Sequence, residues 1–325
     1  MRDKLRVGLI GAGRMAGFHI DVLSTFDDVE LVSLVTTPTG KERRLSICKE
    51  YNISSNYDNV DDMIKNENID AVFIQPSVQH VYEIAKKCLG ASIHTFIEKP
   101  PGLKSSETRE LLEISKEKNV IQMVGLQRRF YSHILEAKSI IEKHGDLFSL
   151  VVEAPERFTQ IKGKNKFTEE VLEKWIFANG IHMLDMLLFL GGGIEKYMSV
   201  VKSWKEYMTN DSFHSLIEFK SGAVGQYISN WSSPGGWSVK MYGNGVRVDI
   251  APMEEGKVTF TWEGSDPDSG DTLTYTLYVD ATDGKQTPPS AQTGISAKTL
   301  DVALEAATTY YWRVKTSDGT NSSYS

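Results

Sequence analysis

A glycine-rich turn near the N-terminus constrains the fold of this chain more than any other feature. Gly11, Gly13 and the small Ala16 follow the apolar run 5–10 and open a segment with helical periodicity. In such a turn the first glycine permits a tight bend, the second lets the backbone approach a diphosphate, and the small residue lets the helix pack on the strand. Because a helix N-terminus favours an anion, the pattern predicts a dinucleotide site. The alternative interpretation is a purely structural glycine turn.

Residues 1–124 alternate short apolar runs, rich in β-branched residues, with segments of helical period. The predicted strands cover residues 5–10, 29–35, 70–74 and 94–97. Strands that alternate with helices are typical of a parallel α/β sheet. We therefore predict a doubly wound α/β domain over residues 1–124.

Two further regions follow. Residues 125–256 start with helical segments and continue with long strands, and turn residues at 220–222 and 243–245 suit antiparallel hairpins. We predict an α+β domain there. Near Gly256 the composition changes, since every His, Met and Cys lies before it and residues 257–325 have a charge of 5 minus 9, or −4. The apolar residues of this tail alternate, which predicts a third, all-β region over residues 257–325.

The charge of the chain argues against two classes of partner. With 36 Lys and Arg against 43 Asp and Glu the net charge is −7, whereas nucleic acids and anionic membranes are bound through basic surfaces. No run approaches the roughly 18–20 apolar residues that span a bilayer, and no signal-peptide pattern is visible. We therefore expect a cytoplasmic protein that acts on a small molecule. Cys48 and Cys88 are expected to be reduced, buried thiols, and we expect no metal.

The end of the predicted second strand bears on the choice of dinucleotide. An acidic residue at this place usually hydrogen-bonds the ribose 2′-hydroxyl of NAD, but this chain has Thr36 and Thr37. No carboxylate would repel a 2′-phosphate here, and Lys41, Arg43 and Arg44 follow. The pattern therefore favours NADP over NAD. Alternatively, these cations form the solvated face of the next helix.

Five short motifs lie in order over residues 11–185. They are GAG at 11–13, PSVQH at 76–80, TFIEKP at 95–100, GLQRRF at 125–130 and GIHMLD at 180–185. Together they resemble the family of glucose-fructose oxidoreductase, inositol dehydrogenase and rhizopine-catabolism proteins (Gfo/Idh/MocA). The resemblance implies a Rossmann domain, then an α+β domain whose open antiparallel sheet mediates homo-oligomers. It also implies NAD(P)-dependent oxidation or reduction of sugars, inositols or sugar nucleotides.

The turn and the resemblance together select candidate site residues. The candidates for binding NADP or NAD are Gly11, Gly13, Arg14, Met15, Thr36, Arg43, Pro76, His80 and Glu98. Lys99, at the end of a predicted parallel strand, faces the crevice where a nicotinamide lies, and hydride transfer at an alcohol carbon needs a proton relay at the oxygen. We assign Lys99 this catalytic role and expect a cis bond before Pro100. The alternative is a surface lysine that precedes a loop.

Residues 179–190 predict a helix that Asn179 caps and that the glycines at 191–193 end. The segment is apolar nearly all round and therefore buried, so that His182 and Asp185 on one face are costly unless they are paired or used. The resemblance implies that His182 polarises the substrate hydroxyl. The alternative is a structural histidine that hydrogen-bonds Asp185.

One departure from the family pattern concerns the partner of the catalytic lysine. Many members have an Asp four residues before the histidine, where this chain has Ala178. An alanine side chain cannot hold a proton. Asn179 would then orient the substrate, while Lys99 and His182 transfer the proton. The candidate substrate contacts are Lys99, Arg129, Trp175, Asn179 and His182.

The leading hypothesis is therefore an NAD(P)-dependent oxidoreductase that acts on a hydroxyl or carbonyl of a sugar-like substrate. Two alternatives stay open. One is a catalytically weak nucleotide- or sugar-binding protein, for which Ala178 is the distinguishing feature. The other is a fusion with an adhesion-type β module.

The tail supplies the reason for that second alternative. Trp262 and the segment 304–310 resemble the buried tryptophan and the leucine and tyrosine-corner segment of fibronectin type III sandwiches. Family members normally continue with segments that pack back towards the first domain, and the tail replaces them. We therefore predict a junction near Gly256 that leaves both parts incomplete. Acidic residues at 266–271 suggest calcium, but a solvated turn is the simpler interpretation.

Overall fold

The computed structural model describes residues 4–205, 210–253, 257–262, 272–280, 292–296, 299–303, 311–320 and 322–324. The helices in this part of the chain are α1 (Arg14–Leu23), α2 (Lys41–Glu50), α3 (Val60–Asn66), α4 (Val81–Gly90), α5 (Ser105–Glu117), α6 (Ser132–Lys143), α7 (Phe158–Lys162), α8 (Glu169–Glu173), α9 (Trp175–Ala178) and α10 (Ile181–Gly191). The strands are β1 (Leu5–Ile10), β2 (Val29–Val35), β3 (Ser55–Tyr57), β4 (Ala71–Ile74), β5 (His94–Ile97), β6 (Gln122–Val124), β7 (Leu147–Glu153), β8 (Ile194–Lys202), β9 (Ser212–Phe219), β10 (Val224–Asn230), β11 (Ser238–Gly243), β12 (Val246–Ile250), β13 (Lys257–Trp262), β14 (Thr274–Asp280), β15 (Gln292–Ile295), β16 (Thr299–Ala303), β17 (Tyr311–Ser317) and β18 (Ser322–Tyr324).

The chain forms two units. The first consists of Met1–Leu126 and Phe167–Ile181, and the second of Gln127–Lys166 and His182–Ser325. A later stretch of chain, with α8 and α9, thus belongs to the unit built by the N-terminal residues. The sequence did not indicate this return, and the domain limits 1–124, 125–256 and 257–325 stay predictions.

The first unit contains the parallel sheet that the sequence predicts. Its six strands run in the order β3-β2-β1-β4-β5-β6, and each neighbouring pair is parallel. Residues of α1 and α2 pack on one face of the sheet, and residues of α3, α4 and α5 on the other. Burial on both faces explains why the central strands are mostly apolar. Cys48 and Cys88 are buried in these cores without a disulfide, as expected.

The order of the strands also positions a site. β1 and β4 are neighbours at the centre of the sheet, where the direction of the strand order reverses. Ligands of open α/β sheets bind outside the carboxyl ends of the strands at such a point. Residues that follow β1, β4 and β5 therefore share one edge of the sheet. The sequence did not predict the three-residue strands β3 and β6, because their sequences SNY and QMV carry no apolar run.

The second unit contains an eight-stranded sheet in the order β16-β13-β12-β11-β7-β10-β9-β8. Every neighbouring pair is antiparallel except β7 and β10, which run parallel. The expected open antiparallel sheet is therefore a mixed one. Local hairpins such as β11–β12 were visible as turn residues, whereas the β7–β10 pair joins distant segments and leaves no local pattern.

The tail contributes to two sheets. β13 pairs with β12 and β16 pairs with β13, so both extend the eight-stranded sheet. β14, β15, β17 and β18 form a separate antiparallel sheet of four strands. The predicted fibronectin-like corner at 304–310, the acidic segment 266–271 and Gly256 lie outside the described residues. The resemblance to fibronectin type III and the junction stay predictions.

The helix predicted at 179–190 lies close to its expected place. α10 covers Ile181–Gly191, and Asn179 terminates α9 instead of capping α10. Gly192 follows with a φ of 85°, the left-handed conformation that commonly ends helices. Within the described ranges, no helix combines the length and the apolar character needed to cross a membrane.

Candidate functional site

The turn at residues 11–13, which we call the β1–α1 turn, has the geometry that its two glycines predict. Gly11 has a φ of 102°, and a Cβ there would lie 2.7 Å from the carbonyl carbon of Gln75. Gly13 is the extended residue before α1, and a Cβ there would meet nothing within 4 Å. The first glycine is therefore required by the fold itself, and the second leaves open space at the start of the helix.

The N-terminus of α1 suits an anion. Gly13 has no side chain to cap the helix, and the first turn, Arg14 to Gly17, contains no acidic residue. The first N–H groups of a helix lack partners inside the helix and carry a partial positive charge. The diphosphate of a dinucleotide fits this end, because it brings oxygen acceptors and negative charge. Arg14 is exposed and Met15 half-buried in this same turn.

The other predicted cofactor residues follow neighbouring strands. Pro76 and His80 follow β4, and Glu98 follows β5, so they lie at the same edge of the sheet as the β1–α1 turn. Burial raises the pKa of Glu98, and the positive charge of Lys99 partly opposes this. Glu98 Oε2 also lies 3.4 Å from the position that a Cβ of Gly125 would take.

Arg44 takes a different role from the one that the sequence suggested. Its guanidinium is buried and donates hydrogen bonds to the backbone oxygens of Thr36 and Tyr57, at 3.1 and 2.6 Å. It also pairs with Asp58 at 2.7 Å. Arg44 therefore ties the ends of β2 and β3 together and is not a solvated cation. Arg43 lies exposed on the same helix, and its role in binding a 2′-phosphate stays a prediction.

Lys99 lies directly after β5, and the peptide bond between Lys99 and Pro100 is cis, as predicted. Its ammonium donates a hydrogen bond to the backbone oxygen of Ala178 at 3.0 Å and lies 3.5 Å from Asn179 Oδ1. The segment that holds both acceptors belongs to the first unit. At the place where many family members have a carboxylate, the lysine is thus held by a backbone carbonyl and a side-chain amide.

Trp175 stands at the start of α9, in the segment that returns to the first unit. Its ring is buried and meets Phe167 edge-on, with the ring centroids 5.0 Å apart. Asn179 N–H donates to the backbone oxygen of Trp175 at 2.8 Å. Trp175 therefore shapes the turn that places Ala178 and Asn179 against Lys99, and it offers little surface for a substrate.

The second unit contains a group of polar and aromatic side chains, which we call the α10 cluster: Arg128, Arg129, His182, Asp185 and Trp237. Both carboxylate oxygens of Asp185, a buried residue, accept hydrogen bonds from Arg129, one of them from Nε at 2.6 Å. This pairing raises the pKa of Arg129. Asp185 thus holds the guanidinium of Arg129 in a fork, and the predicted contact of Arg129 with a substrate stays a prediction.

His182 is buried in the same cluster. Its ring centroid lies 6.3 Å from that of Trp237, and the Arg128 guanidinium carbon lies 4.2 Å from the Trp237 ring centroid. Trp237 Nε1 donates to the backbone oxygen of Pro155 at 3.2 Å. Sequence reasoning missed Arg128 and Trp237. A signal for Arg128 was present, since it directly precedes Arg129 in the motif GLQRRF.

The two units thus contain different parts of the predicted site. The first holds the β1–α1 turn, Glu98, Lys99 and Asn179, and the second holds Arg129 and His182. Among the residues for which the structure gives a placement, no group of three or more His, Cys, Asp or Glu side chains is arranged to hold a metal.

Comparison with known proteins places this geometry in a family. Residues 5–126 match the model of the GFO/IDH/MocA oxidoreductase family, NAD-binding Rossmann fold, and residues 134–250 match the GFO/IDH/MocA C-terminal domain. Residues 5–250 hold both domains of this family. The predicted family is thereby confirmed for this part of the chain, and so is a nicotinamide dinucleotide as the cofactor type of its Rossmann domain.

Several characterised proteins are similar to parts of the chain. Myo-inositol 2-dehydrogenase of Thermotoga maritima is 30% identical over 139 residues, which cover 42% of this chain and 41% of that enzyme. D-glucoside 3-dehydrogenase of Escherichia coli is 24% identical over 242 residues, 68% of each protein. The first match therefore spans less than half the length of the inositol dehydrogenase.

Solved structures share the fold. The WlbA dehydrogenase of Chromobacterium violaceum, in complex with NADH and UDP-GlcNAcA, aligns with a TM-score of 0.69 and 19% identity over 83% of this chain and 80% of that one. An oxidoreductase from Agrobacterium radiobacter, in complex with NAD+, L-tartaric acid and magnesium, aligns with a TM-score of 0.67 and 16% identity over 80% and 77%. These similarities establish the Rossmann-like sheet and the mixed sheet as the shared fold.

Proposed function

We propose that this protein is an NAD(P)-dependent oxidoreductase that acts on a hydroxyl or carbonyl group of a sugar, an inositol or a sugar nucleotide. The observation that carries the proposal is the position of Lys99. Its ammonium lies after β5, on the edge of the sheet that also holds the β1–α1 turn. Lys99, which can donate and accept a proton, therefore lies in the same unit as the N-terminus of α1, which suits a diphosphate.

The residues of the chain divide the chemistry as follows. A bound nicotinamide supplies the carbon that accepts or gives hydride. In the oxidation of an alcohol, Lys99 Nζ in its neutral amine form takes the hydroxyl proton as the C–H bond gives up its hydride, and in the reverse direction the ammonium form returns that proton. We assign His182 the role that the family resemblance implies, which is to polarise the substrate hydroxyl. Asn179 orients the lysine through its side-chain oxygen, 3.5 Å from Nζ.

The choice of NADP over NAD belongs to this proposal as well. Thr36 and Thr37 follow β2 where a carboxylate would repel a 2′-phosphate. With Arg44 used inside the fold, Arg43 is the remaining cation of the arginine pair for that phosphate. We expect Arg43→Ala to weaken NADPH binding more than NADH binding.

The position of Ala178 bears on how efficient the enzyme is. Lys99 donates to the backbone of Ala178, so the lysine is held in place without the carboxylate of other family members. We infer that Lys99 and His182 carry the proton without a third acidic group. A binding protein without efficient turnover is the less favoured function, because matched relatives of known activity are dehydrogenases.

We further propose that the protein forms homo-oligomers through the eight-stranded sheet. All nine residues of the edge strand β8 are exposed, and Tyr197 and Met198 keep 70% and 66% of their surface. Exposed apolar surface on a sheet favours association. The oligomer, the cytoplasmic location and the absence of nucleic-acid and membrane partners stay predictions.

The test measures binding and turnover separately. NADPH and NADH are titrated by fluorescence, and a panel of sugars, inositols and sugar nucleotides is assayed with the full chain and with Lys99→Ala. We expect both proteins to bind the dinucleotide and only the wild type to turn over, with kcat/KM reduced about 10²- to 10⁴-fold in the variant. The exposed Lys116→Ala serves as the matched lysine control and should keep full activity. Equal turnover by Lys99→Ala, or no dinucleotide binding by the wild type, would overturn the proposal.

A further inference from the structure

A buried amide lies next to the β1–α1 turn. Gln75 is the first residue after β4 and keeps only 6% of its surface exposed. Neither Nε2 nor Oε1 of its side chain has a hydrogen-bond partner among the residues that the structure describes. Leaving a buried donor and a buried acceptor unpaired costs folding free energy, so such a group calls for a partner.

The backbone of Gln75 fixes where this amide lies. Its N–H donates to the backbone oxygen of Ile10 at 2.8 Å, and its carbonyl carbon lies 2.7 Å from the place of a Gly11 Cβ. The backbone of Gln75 therefore packs directly against the tight bend at Gly11. Gln75 directly follows β4, which neighbours β1 at the point where the strand order reverses.

The direction of the side chain follows from the pleat of the strand. Successive residues of an extended chain point to opposite faces, so Gln75 shares a face with Phe73. The Phe73 ring lies 5.7 Å from the ring of His19, a residue of α1. The amide of Gln75 thus lies on the face that α1 covers, at the edge of the sheet where α1 begins.

We propose that the Gln75 carboxamide is a cofactor-binding residue whose hydrogen-bond partners are polar groups of the bound dinucleotide. The inference rests on the proposed function and adds a residue that no motif of the sequence selects. An amide brings both a donor and an acceptor, which suits the phosphate oxygens and ribose hydroxyls that a ligand presents at a helix N-terminus. A Cβ at Gly13 would meet nothing within 4 Å, so a ligand has room at that end of the helix.

Other buried polar side chains of the same sheet differ in position. Thr95 Oγ1 and Ser33 Oγ also lack partners among the described residues. Both residues lie within strands, Thr95 in β5 and Ser33 in β2, and neither follows a strand at the carboxyl edge. They therefore provide controls for the effect of removing a buried polar atom that no ligand meets.

The experiment compares Gln75→Met with the wild-type full chain. Methionine keeps the length of the side chain and removes both polar atoms. We expect the dissociation constants of NADH and NADPH to rise at least fivefold, while the melting temperature without ligand stays equal or rises, because an unpaired buried amide is lost. Thr95→Val should leave both dissociation constants unchanged. ADP-ribose, which lacks the nicotinamide, serves as a third probe. If its dissociation constant rises by the same factor, the amide contacts the ADP-ribose part of the dinucleotide.

Two results would overturn the inference. One is Gln75→Met with unchanged dissociation constants, and the other is weakening of the same size in Thr95→Val. If Gln75→Met does not fold, the shorter amide of Gln75→Asn replaces it, and unchanged binding by that variant also refutes the contact. Failure of the proposed function is distinct, since it appears in the wild type as a lack of dinucleotide binding or turnover and removes this inference with it.

Discussion

The β1–α1 turn and the α10 cluster obtain their geometry from opposite properties of the chain. Gly11 and Gly13 act through the Cβ atoms that they lack, one to permit a bend against Gln75 and one to leave space at a helix N-terminus. In the α10 cluster, Arg129 and Asp185 act through side chains that satisfy each other's charge. The first arrangement depends on the backbone of neighbouring strands, and the second on side chains far apart in sequence.

This difference teaches how each region should respond to substitution. At Gly11 there is no space for an added atom, so a larger residue there should destabilise the fold. In the pair of Arg129 and Asp185, the loss of one partner should cost less where water can solvate the remaining charge. Substitutions in the β1–α1 turn should change either stability or ligand binding, whereas substitutions in the α10 cluster should change both.

The largest effect is expected at Gly11. Alanine there would need a φ of 102° and would place its Cβ against the backbone of Gln75, so we expect a loss of about 3 kcal/mol in the free energy of unfolding. Gly13→Val is the matched control, because Gly13 has an ordinary φ of −74° and open space around it. Urea denaturation should show Gly13→Val close to wild type, while fluorescence titration shows that it no longer binds NADPH. Similar destabilisation by both changes would contradict the separation of the two glycine roles.

A smaller effect is expected from the ion pair of Arg129 and Asp185, in which the carboxylate is buried and the guanidinium is about one third exposed. Asp185→Asn keeps the shape of the side chain but removes the charge that holds Arg129, and we expect a loss of about 2 kcal/mol because Arg129 is partly solvated. The exposed pair of Glu113 and Lys116 gives the comparison. Glu113→Gln should change the free energy of unfolding by less than about 0.5 kcal/mol. If the two variants were equally stable by chemical denaturation, the α10 cluster would not depend on this pair.

The smallest effect is a dependence on pH at Glu98. Burial raises the pKa of its carboxyl above the ordinary value of 4.5. Because the folded state has the higher pKa, ionisation costs stability as pH rises from about 4.5 through the pKa of the folded protein. Glu98→Gln stays neutral, so it should match the wild type near pH 4 and be the more stable protein at pH 7. Thermal denaturation at both pH values measures this, and an advantage confined to pH 4 would give the wrong sign.

Prediction from sequence worked where the structural cause is local. The apolar strands and the spacing of Gly11 and Gly13 gave the Rossmann sheet, and the motif TFIEKP gave the cis bond after Lys99. The helix that holds His182 was predicted within two residues at its start, because its composition is apolar and glycines follow.

Prediction failed where the cause is contact between distant segments. Nothing near Arg44 indicates that Tyr57 and Asp58 would bury its charge. The return of residues 167–181 to the first unit, which brings Ala178 to Lys99, involves two segments about 80 residues apart. The pairing of Arg129 with Asp185 spans 56 residues and leaves no periodicity in the sequence.

The attachment of β13 to β12 has a practical consequence for anyone who shortens the gene. A chain that stops at residue 253 would lack β13 and β16. The backbone N–H and C=O groups of Val246–Ile250 that now bond to β13 would then be unpaired at the outer edge of the sheet. Such a border invites pairing between molecules. Chains that end at residue 253 should therefore self-associate and precipitate more readily than the full chain.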